Sequence, residues 1–274
     1  NNRNLDYVFP NQDIDSRVLK ERKDSAKNAK YLYGLIEYRA ENYDKAIRNW
    51  EELVIINFDY SLLYRNLAYY YQKFEENYQR AINLSKIGLK KKPHNDDFFK
   101  LLFDGYKNLD LKDKINELEN EIKNIDDISE PAVRVWVDIL NYLENHQKAV
   151  QLIKDTKFKM YEEDPENLVD YSRIYKESYL GLTRQHMKNN NFIKALESVK
   201  ECLKMEKKYE DIFAEIYFYT AVIYEKLNEF DKALQYYNEI LDENIPEEDD
   251  NYKYYVKAAN RIVNLNWIGI KRGE

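Results

Sequence analysis

The side chains able to act in catalysis or metal binding are few and scattered along the chain. There are three histidines, His94, His146 and His186, and one cysteine, Cys202. None of the histidines belongs to an H-E-x-x-H motif, in which two ligands share one helix face. A catalytic thiol needs a base beside it, and no such partner is specified around Cys202. We therefore expect no metal site, and we expect Cys202 to be a small buried residue.

Acidic and basic runs offer no better catalytic candidates. The acidic pairs are sequence neighbours, as in Glu75-Glu76 and Glu247-Glu248, and neighbours on a helix do not face each other. The lysine run 90–92 suits the C-terminus of a helix, where cations complement the helix dipole. Glycine-rich phosphate-binding motifs are absent from the sequence. We expect a chain that is not an enzyme and that holds no cofactor.

Composition narrows the class of protein further. The 274 residues are 44% hydrophobic, with only 6 glycines and 5 prolines, which argues against an all-β chain and against a glycine- and proline-rich disordered chain. The formal net charge of −7 disfavours nucleic acid as a partner. No apolar run approaches the ~18 residues of a membrane span, so neither a membrane nor an export signal is expected, and we expect a cytoplasmic protein. Asn1 is not an initiator methionine, so we expect the chain to be part of something longer.

A short string recurs along the chain. The segment Asn42–Ile47 returns, with changes, at 77–82, 145–150, 191–196 and 229–234, and more weakly at 111–116. The small or aliphatic anchors of the copies are Ala46, Ala81, Ile115, Ala149, Ala195 and Ala233. Their spacings are 35, 34, 34, 46 and 38 residues. A regular period of about 34 residues, with two insertions, indicates a repeat architecture.

Each copy has the pattern of a helical hairpin. In the second unit Tyr64, Leu67 and Tyr71 recur at three- and four-residue steps, which predicts an amphipathic helix. A polar turn follows, then a second helix that carries Ala81 on its apolar face and ends before Pro93. Small residues that face each other allow two antiparallel helices to approach closely.

These units resemble tetratricopeptide repeats. That family has an aromatic residue and a Leu-Gly pair on the first helix, and an alanine, an aromatic residue and a proline on the second. Tyr33-Gly34 with Trp50, and Leu67-Ala68 with Pro93, match that pattern. The resemblance implies an all-α, right-handed superhelical solenoid of about six hairpins with a C-terminal capping helix.

The resemblance and the spacing together give the domain organisation. Residues 1–23 are predicted as an irregular lead, 155–167 as a linker, and about 251–268 as the capping helix, within a solenoid over 24–268. The cap is predicted to bury Tyr255, Ala258, Ala259, Ile262 and Val263. The hairpins are predicted at about 24–57, 60–92, 95–125, 130–154, 168–207 and 211–244.

A narrower resemblance is to one part of larger multidomain proteins. The strings Val8–Asn11, Val18-Leu19 and Phe158–Glu162, in order with the repeats, resemble the C-terminal repeat arm of large bacterial proteins. The N-terminal half of those proteins is β-rich and similar to carbohydrate enzymes. None of that half is present here, so the resemblance implies no enzymatic role for this chain.

The family resemblance places a ligand groove along the first helices of the hairpins. The groove is predicted to be mixed in charge with a basic lean and aromatic at its first end, and to suit an extended peptide with an acidic group, since arginine can fork two hydrogen bonds onto a carboxylate. The carboxylate clamp with which some family members bind chaperone tails is not expected, because Tyr31 and Leu35 stand where it needs lysine and asparagine. The predicted groove residues are Tyr31, Leu35, Tyr38, Arg65, Tyr69, Gln72, Lys73, Lys100, Asp104, Arg134, Asp138, Asn141 and Arg184.

The predicted function is a non-catalytic module that binds a protein or peptide in this groove. Two alternatives stay open: a structural or oligomerising arm of a larger carbohydrate-related enzyme, and a peptide-sensing arm of a regulator. A homo-oligomer also stays open as an assembly. The residues that precede Asn1 in the full protein would separate these alternatives.

Overall fold

Every regular element that the structure describes is an α-helix. The computed structural model describes residues 20–22, 26–156, 158, 165–206, 213–243 and 245–272. The prediction of an all-α helical-repeat fold is thereby confirmed. The predicted lead at 1–19 and 23, the linker residues 157 and 159–164, and most of the strings that carry the narrower resemblance lie outside the described residues.

The chain divides into two compact units, residues 1–135 and 136–274. The first unit contains α1 (Lys27–Arg39), α2 (Tyr43–Ile55), α3 (Ser61–Lys73), α4 (Tyr78–Lys91), α5 (Asp96–Asn108) and α6 (Lys112–Lys123). The boundary falls within α7 (Glu130–Tyr142). The second unit contains α8 (His146–Asp155), α9 (Pro165–Lys188), α10 (Phe192–Glu206), α11 (Phe213–Lys226), α12 (Phe230–Asp242) and α13 (Tyr252–Arg272).

Proline marks the start of a helix in two places. Pro131 is the second residue of α7, and Pro165, which the sequence places in the linker, is the first residue of the long helix α9. Proline suits the first turn because its missing N–H has no helical acceptor there. The described helices pack mainly on their neighbours in the chain: α1 on α2, α3 on α4, α9 on α10 and α11 on α12, with α3 also contacting α5 and α11 contacting α13.

The anchors of the sequence repeat are the most deeply buried positions of the hairpins. Each is 0% exposed, namely Ala46, Ala81, Ile115, Ala149, Ala195 and Ala233. All five alanines are the fourth residue of a second helix, where a larger side chain would push the two helices apart. The repeat spacing in the sequence is therefore the spacing of the closest helix contacts.

A left-handed residue ends the first helix of every hairpin, five residues before each anchor. These residues have φ between 50° and 62° and are Glu41, Glu76, Asp110, Glu144, Asn190 and Asn228. The next N–H then folds back onto the end of the first helix, as Asn42 N donates to the Glu37 carbonyl at 2.8 Å. Glycine favours this conformation, and asparagine is the next most common. Three of the six residues are glutamates, so residue type indicates this turn in only some of the hairpins.

Replacing Glu76 by glycine is expected to stabilise the chain by about 0.5–1 kcal/mol. The left-handed conformation costs an ordinary residue about 1–2 kcal/mol, and glycine avoids this cost. About 0.5–1 kcal/mol of the resulting gain in stability is lost, because glycine makes the unfolded chain more flexible. The urea midpoint followed by circular dichroism measures the change. Asn228→Gly is the matched control, since asparagine tolerates this conformation and a smaller gain is expected. An equal or lower midpoint for Glu76→Gly would show that the turn carries no strain.

Close packing in the first hairpin depends on a glycine. A Cβ atom on Gly34 would lie 2.2 Å from Nε1 of Trp50. With no side chain at position 34, the indole lies directly against α1 and donates a hydrogen bond to the Tyr31 carbonyl at 3.1 Å. Trp50 is 0% exposed and joins α1 to α2.

Helix α13 packs against α11 and α12 at the end of the second unit. Tyr254, Ala258 and Leu265 are buried in one cluster with Tyr237 and Ile240 of α12. Arg261 donates to Glu225 of α11 at 3.1 Å. The predicted apolar face is partly wrong: Val263 is 62% exposed, and Tyr254, which the prediction left out, is buried in its place.

Two further findings concern the helices as a set. No described helix combines the length and the apolar character needed to cross a membrane. Within the described residues, no group of three or more His, Cys, Asp or Glu side chains could hold a metal ion.

Candidate functional site

The first unit contains an open groove of about 570 Å³. Its walls come from α1, α3 and α5, with Trp50 of α2 behind them. Seven predicted groove residues line it: Leu35, Tyr38, Arg65, Tyr69, Gln72, Lys100 and Asp104. Five lining residues were not predicted: Arg39, Trp50, Asn66, Asp97 and Leu101.

One wall of the groove is aromatic. Tyr38 stacks on Trp50 with ring centroids 5.5 Å apart and meets Tyr43 edge-on at 5.0 Å. Burial, followed by the neighbouring tyrosines, raises the pKa of Tyr38 to about 12. Tyr69 is 43% exposed, so its ring offers apolar surface to a ligand. Aromatic rings of this kind bury much area at a small cost in side-chain entropy.

Arg65, the groove arginine that the sequence singled out, already has an acidic partner. Arg65 Nη1 lies 3.0 Å from Asp97 Oδ2, so the pair joins α3 to α5. Arg65 also donates to the amide oxygen of Asn66 at 3.1 and 3.3 Å, and Asn66 in turn donates to the Tyr31 hydroxyl at 3.2 Å. The sequence suggested that Arg65 donates two hydrogen bonds to a carboxylate of the ligand. To do so, Arg65 would have to release Asp97.

Lys73 and Tyr69 form a second polar contact on α3. Lys73 Nζ donates to the Tyr69 hydroxyl at 2.7 Å and lies 5.2 Å from the ring centroid. This hydrogen bond raises the pKa of Lys73. Lys73 is not among the residues lining the cavity, but its contact orients Tyr69 within it.

Two predicted groove residues of the first unit are buried within the protein. Tyr31 is 3% exposed, because it packs on Trp50 and Tyr60 and its hydroxyl accepts from Asn66. Arg134 is 8% exposed, and its guanidinium contacts Glu130 on its own helix at 2.8 Å. Helical phase predicted the direction of these side chains but not the neighbours that cover them.

The remaining predicted residues belong to the second unit, where they bond to their own chain. Asp138 accepts two hydrogen bonds from Arg173, both at 2.9 Å. Asn141 donates to Ser178 at 2.9 Å. Arg184 lies 3.2 Å from Glu215. The bidentate pair between α7 and α9 fixes Asp138, and sequence reasoning did not find Arg173.

Two of the side chains considered first for chemistry, Cys202 and His146, are shielded or engaged within the protein. Cys202 is 1% exposed, and burial raises its pKa to about 12, so it is a neutral thiol at physiological pH. His146 lies half-buried at the start of α8, with Nδ1 3.3 Å from Asn141 Oδ1. Burial and then the charge of Arg184 lower the pKa of His146. The ring packs on Gly181, where a Cβ atom would lie 2.3 Å from it.

Comparison with known proteins identifies the repeat. The family model for the tetratricopeptide repeat matches residues 214–245, which contain most of α11 and all of α12. At least this hairpin is a tetratricopeptide repeat. No curated protein matches it.

Solved tetratricopeptide-repeat structures share the fold. The C-terminal part of a repeat-containing protein from Cytophaga hutchinsonii aligns with a TM-score of 0.62 at 14% identity, covering 87% of this chain and 88% of that one. YrrB, described as a tetratricopeptide-repeat protein with an unusual peptide-binding site, aligns with a TM-score of 0.52 at 13% identity, covering 77% and 97%. At these identities the likeness concerns the fold alone.

Proposed function

We propose that this chain is a non-catalytic interaction module that binds a peptide segment of a partner protein in the groove of its first unit. The observation that carries the proposal is the open aromatic wall, where Leu35 and Tyr38 are half-buried and Tyr69 is 43% exposed. Concave sites that are mostly apolar, with a few polar groups, are where ligands bind most often. That YrrB has a peptide-binding site on the same fold supports a peptide as the ligand class.

The tetratricopeptide-repeat fold also supports a scaffold rather than an enzyme. It stacks helical hairpins into a continuous surface, and such surfaces bind extended partners. The groove residues are held by the protein's own contacts, as with Trp50 against Gly34. A preformed wall of this kind reduces the ordering cost that binding has to overcome.

Removing the apolar surface of the groove is expected to weaken peptide binding. A random heptapeptide library displayed on phage is selected on the immobilised chain, and enriched peptides are then titrated by fluorescence anisotropy. Tyr69→Ala should weaken their binding tenfold or more, since burying such a ring is worth roughly 1.5–3 kcal/mol. Leu35→Ala should weaken it as well.

The matched control is Ile55→Ala. Ile55 is 80% exposed at the end of α2 and does not line the groove, so its loss should leave the titrations unchanged. Enriched peptides that bind Tyr69→Ala as tightly as the unchanged chain would place the binding face elsewhere.

A further inference from the structure

Two polar side chains on neighbouring helices of the groove, Gln72 and Lys100, have no partner within the described residues. Gln72, on α3, has a buried Oε1 atom without a hydrogen bond, and its amide nitrogen makes no hydrogen bond to a described residue either. Lys100, on α5, is exposed, lines the cavity and forms no ion pair with any described side chain. An amide and an ammonium together can donate to carbonyl and carboxylate oxygens.

The other polar side chains in and beside the groove, Arg39 and Asp104 among them, interact with the protein's own residues. Arg65 is neutralised by Asp97, and Asn66 bridges Arg65 and Tyr31. Lys73 donates to Tyr69. Lys100 is therefore a better candidate for binding an anion than Arg65, which the sequence suggested.

Acidic residues on the same helix restrict which anion can bind. Asp97 and Asp104 lie three residues before and four residues after Lys100, and all three line the groove. Residues at these spacings are neighbours on a helix surface. One carboxylate can approach Lys100, but a second beside it would meet Asp97 or Asp104, so a run of acids is disfavoured.

We propose that the groove binds an extended peptide in which one apolar side chain is followed closely by a single Asp or Glu, flanked by uncharged residues. The apolar side chain packs against Leu35, Tyr38 and Tyr69, the carboxylate pairs with Lys100, and a peptide carbonyl accepts from the Gln72 amide. This inference rests on the proposed function and names the ligand class of the same groove.

The test uses the heptapeptides enriched on the whole chain, synthesised with amidated C-termini so that the only carboxylate is a side chain. Enriched sequences are expected to share an aliphatic or aromatic residue with one acid within two positions. Each is compared with its Asp→Asn or Glu→Gln counterpart by fluorescence anisotropy. The acidic form is expected to bind about three- to tenfold more tightly, the range for an ion pair at a partly exposed site.

Variants of the chain assign the carboxylate to Lys100. Lys100→Glu should abolish the preference for the acidic form, measured as the ratio of the dissociation constants of the neutral and acidic peptides. Lys112→Glu makes the same charge change on an exposed residue of α6 outside the groove and should leave that ratio unchanged. Circular dichroism of Lys100→Glu establishes that it is folded.

Each outcome decides a different question. Peptides that depend on Tyr69 but bind equally in acidic and neutral forms, or that are rich in consecutive acids, would overturn this inference and leave the groove function standing. No enrichment on the unchanged chain would overturn both. Concentration-dependent dimers in sedimentation velocity that Tyr69→Ala abolishes would show that the groove holds a second copy of the chain, which also overturns the inference.

Discussion

Truncation after Asp250 is expected to lower the melting temperature of the second unit by about 10 °C. The cut removes α13, and with it the buried side chains of Tyr254 and Leu265. Burying two such side chains is worth roughly 3–6 kcal/mol in all, and each kcal/mol shifts the melting temperature of a domain by about 2–8 °C. The loss also uncovers Tyr237 and Ile240 on α12, so a less soluble protein is expected.

Differential scanning calorimetry measures this effect, and hydrogen exchange localises it. In the full chain, slow exchange across residues 254–265 is expected in a dilute monomer. In the truncated chain, α12 should exchange faster before α9 and α10 do, because a repeat loses stability first where its neighbour is missing. Val263→Ala is the control, since Val263 is 62% exposed and its change should be nearly neutral. Rapid exchange across 254–265 together with an unchanged melting curve would show that α13 does not stabilise this unit.

Trp50→Ala is expected to destabilise the first unit by about 3–5 kcal/mol, the usual cost of removing a fully buried tryptophan. The indole is 0% exposed, stacks between Tyr31 and Tyr38, and bonds to the Tyr31 carbonyl. The cavity that remains cannot collapse easily, because Gly34 has no side chain to fill it. The urea midpoint followed by circular dichroism measures the change.

Two companion variants separate packing from the hydrogen bond. Trp50→Phe keeps an aromatic ring and loses the donor, so an intermediate loss is expected. Ile55→Ala removes an aliphatic side chain that is 80% exposed and should cost less than about 0.5 kcal/mol. A Trp50→Ala midpoint within that same margin would show that the first hairpin does not depend on the indole.

The hairpins could be predicted from sequence because the repeat places small anchors at the closest helix contacts. Ala81 illustrates this: its spacing from Ala46 identifies the repeat, and its complete burial explains why the residue must be small. The turns could not be predicted in detail, because Glu41, Glu76 and Glu144 adopt a conformation that glutamate rarely takes. Local sequence patterns therefore indicate which residues pack together more reliably than they indicate where the backbone is strained.

The predicted groove residues fall into two sets, those that line the cavity and those that the protein itself covers, and one physical cause separates the two sets. Helical phase gives the direction of a side chain, so Leu35, Tyr69 and Lys100 are found on the cavity. It does not say which distant residue will pair with it or cover it. Tyr31 and Arg134 are covered in this way, and contacts between helices far apart in sequence are what phase alone cannot supply.

The packing of helices mainly on their chain neighbours has a consequence for how a bound ligand would be detected. A peptide held by α1, α3 and α5 stabilises the hairpins it touches, and the effect fades with each further interface along the array. Amide protection should therefore form a gradient that is strongest from α1 to α5, rather than a uniform rise over the whole chain. Mapping that gradient would give the footprint of an unknown partner before the partner itself is identified. A reporter group placed in α13 would show almost no response to peptide binding in the groove.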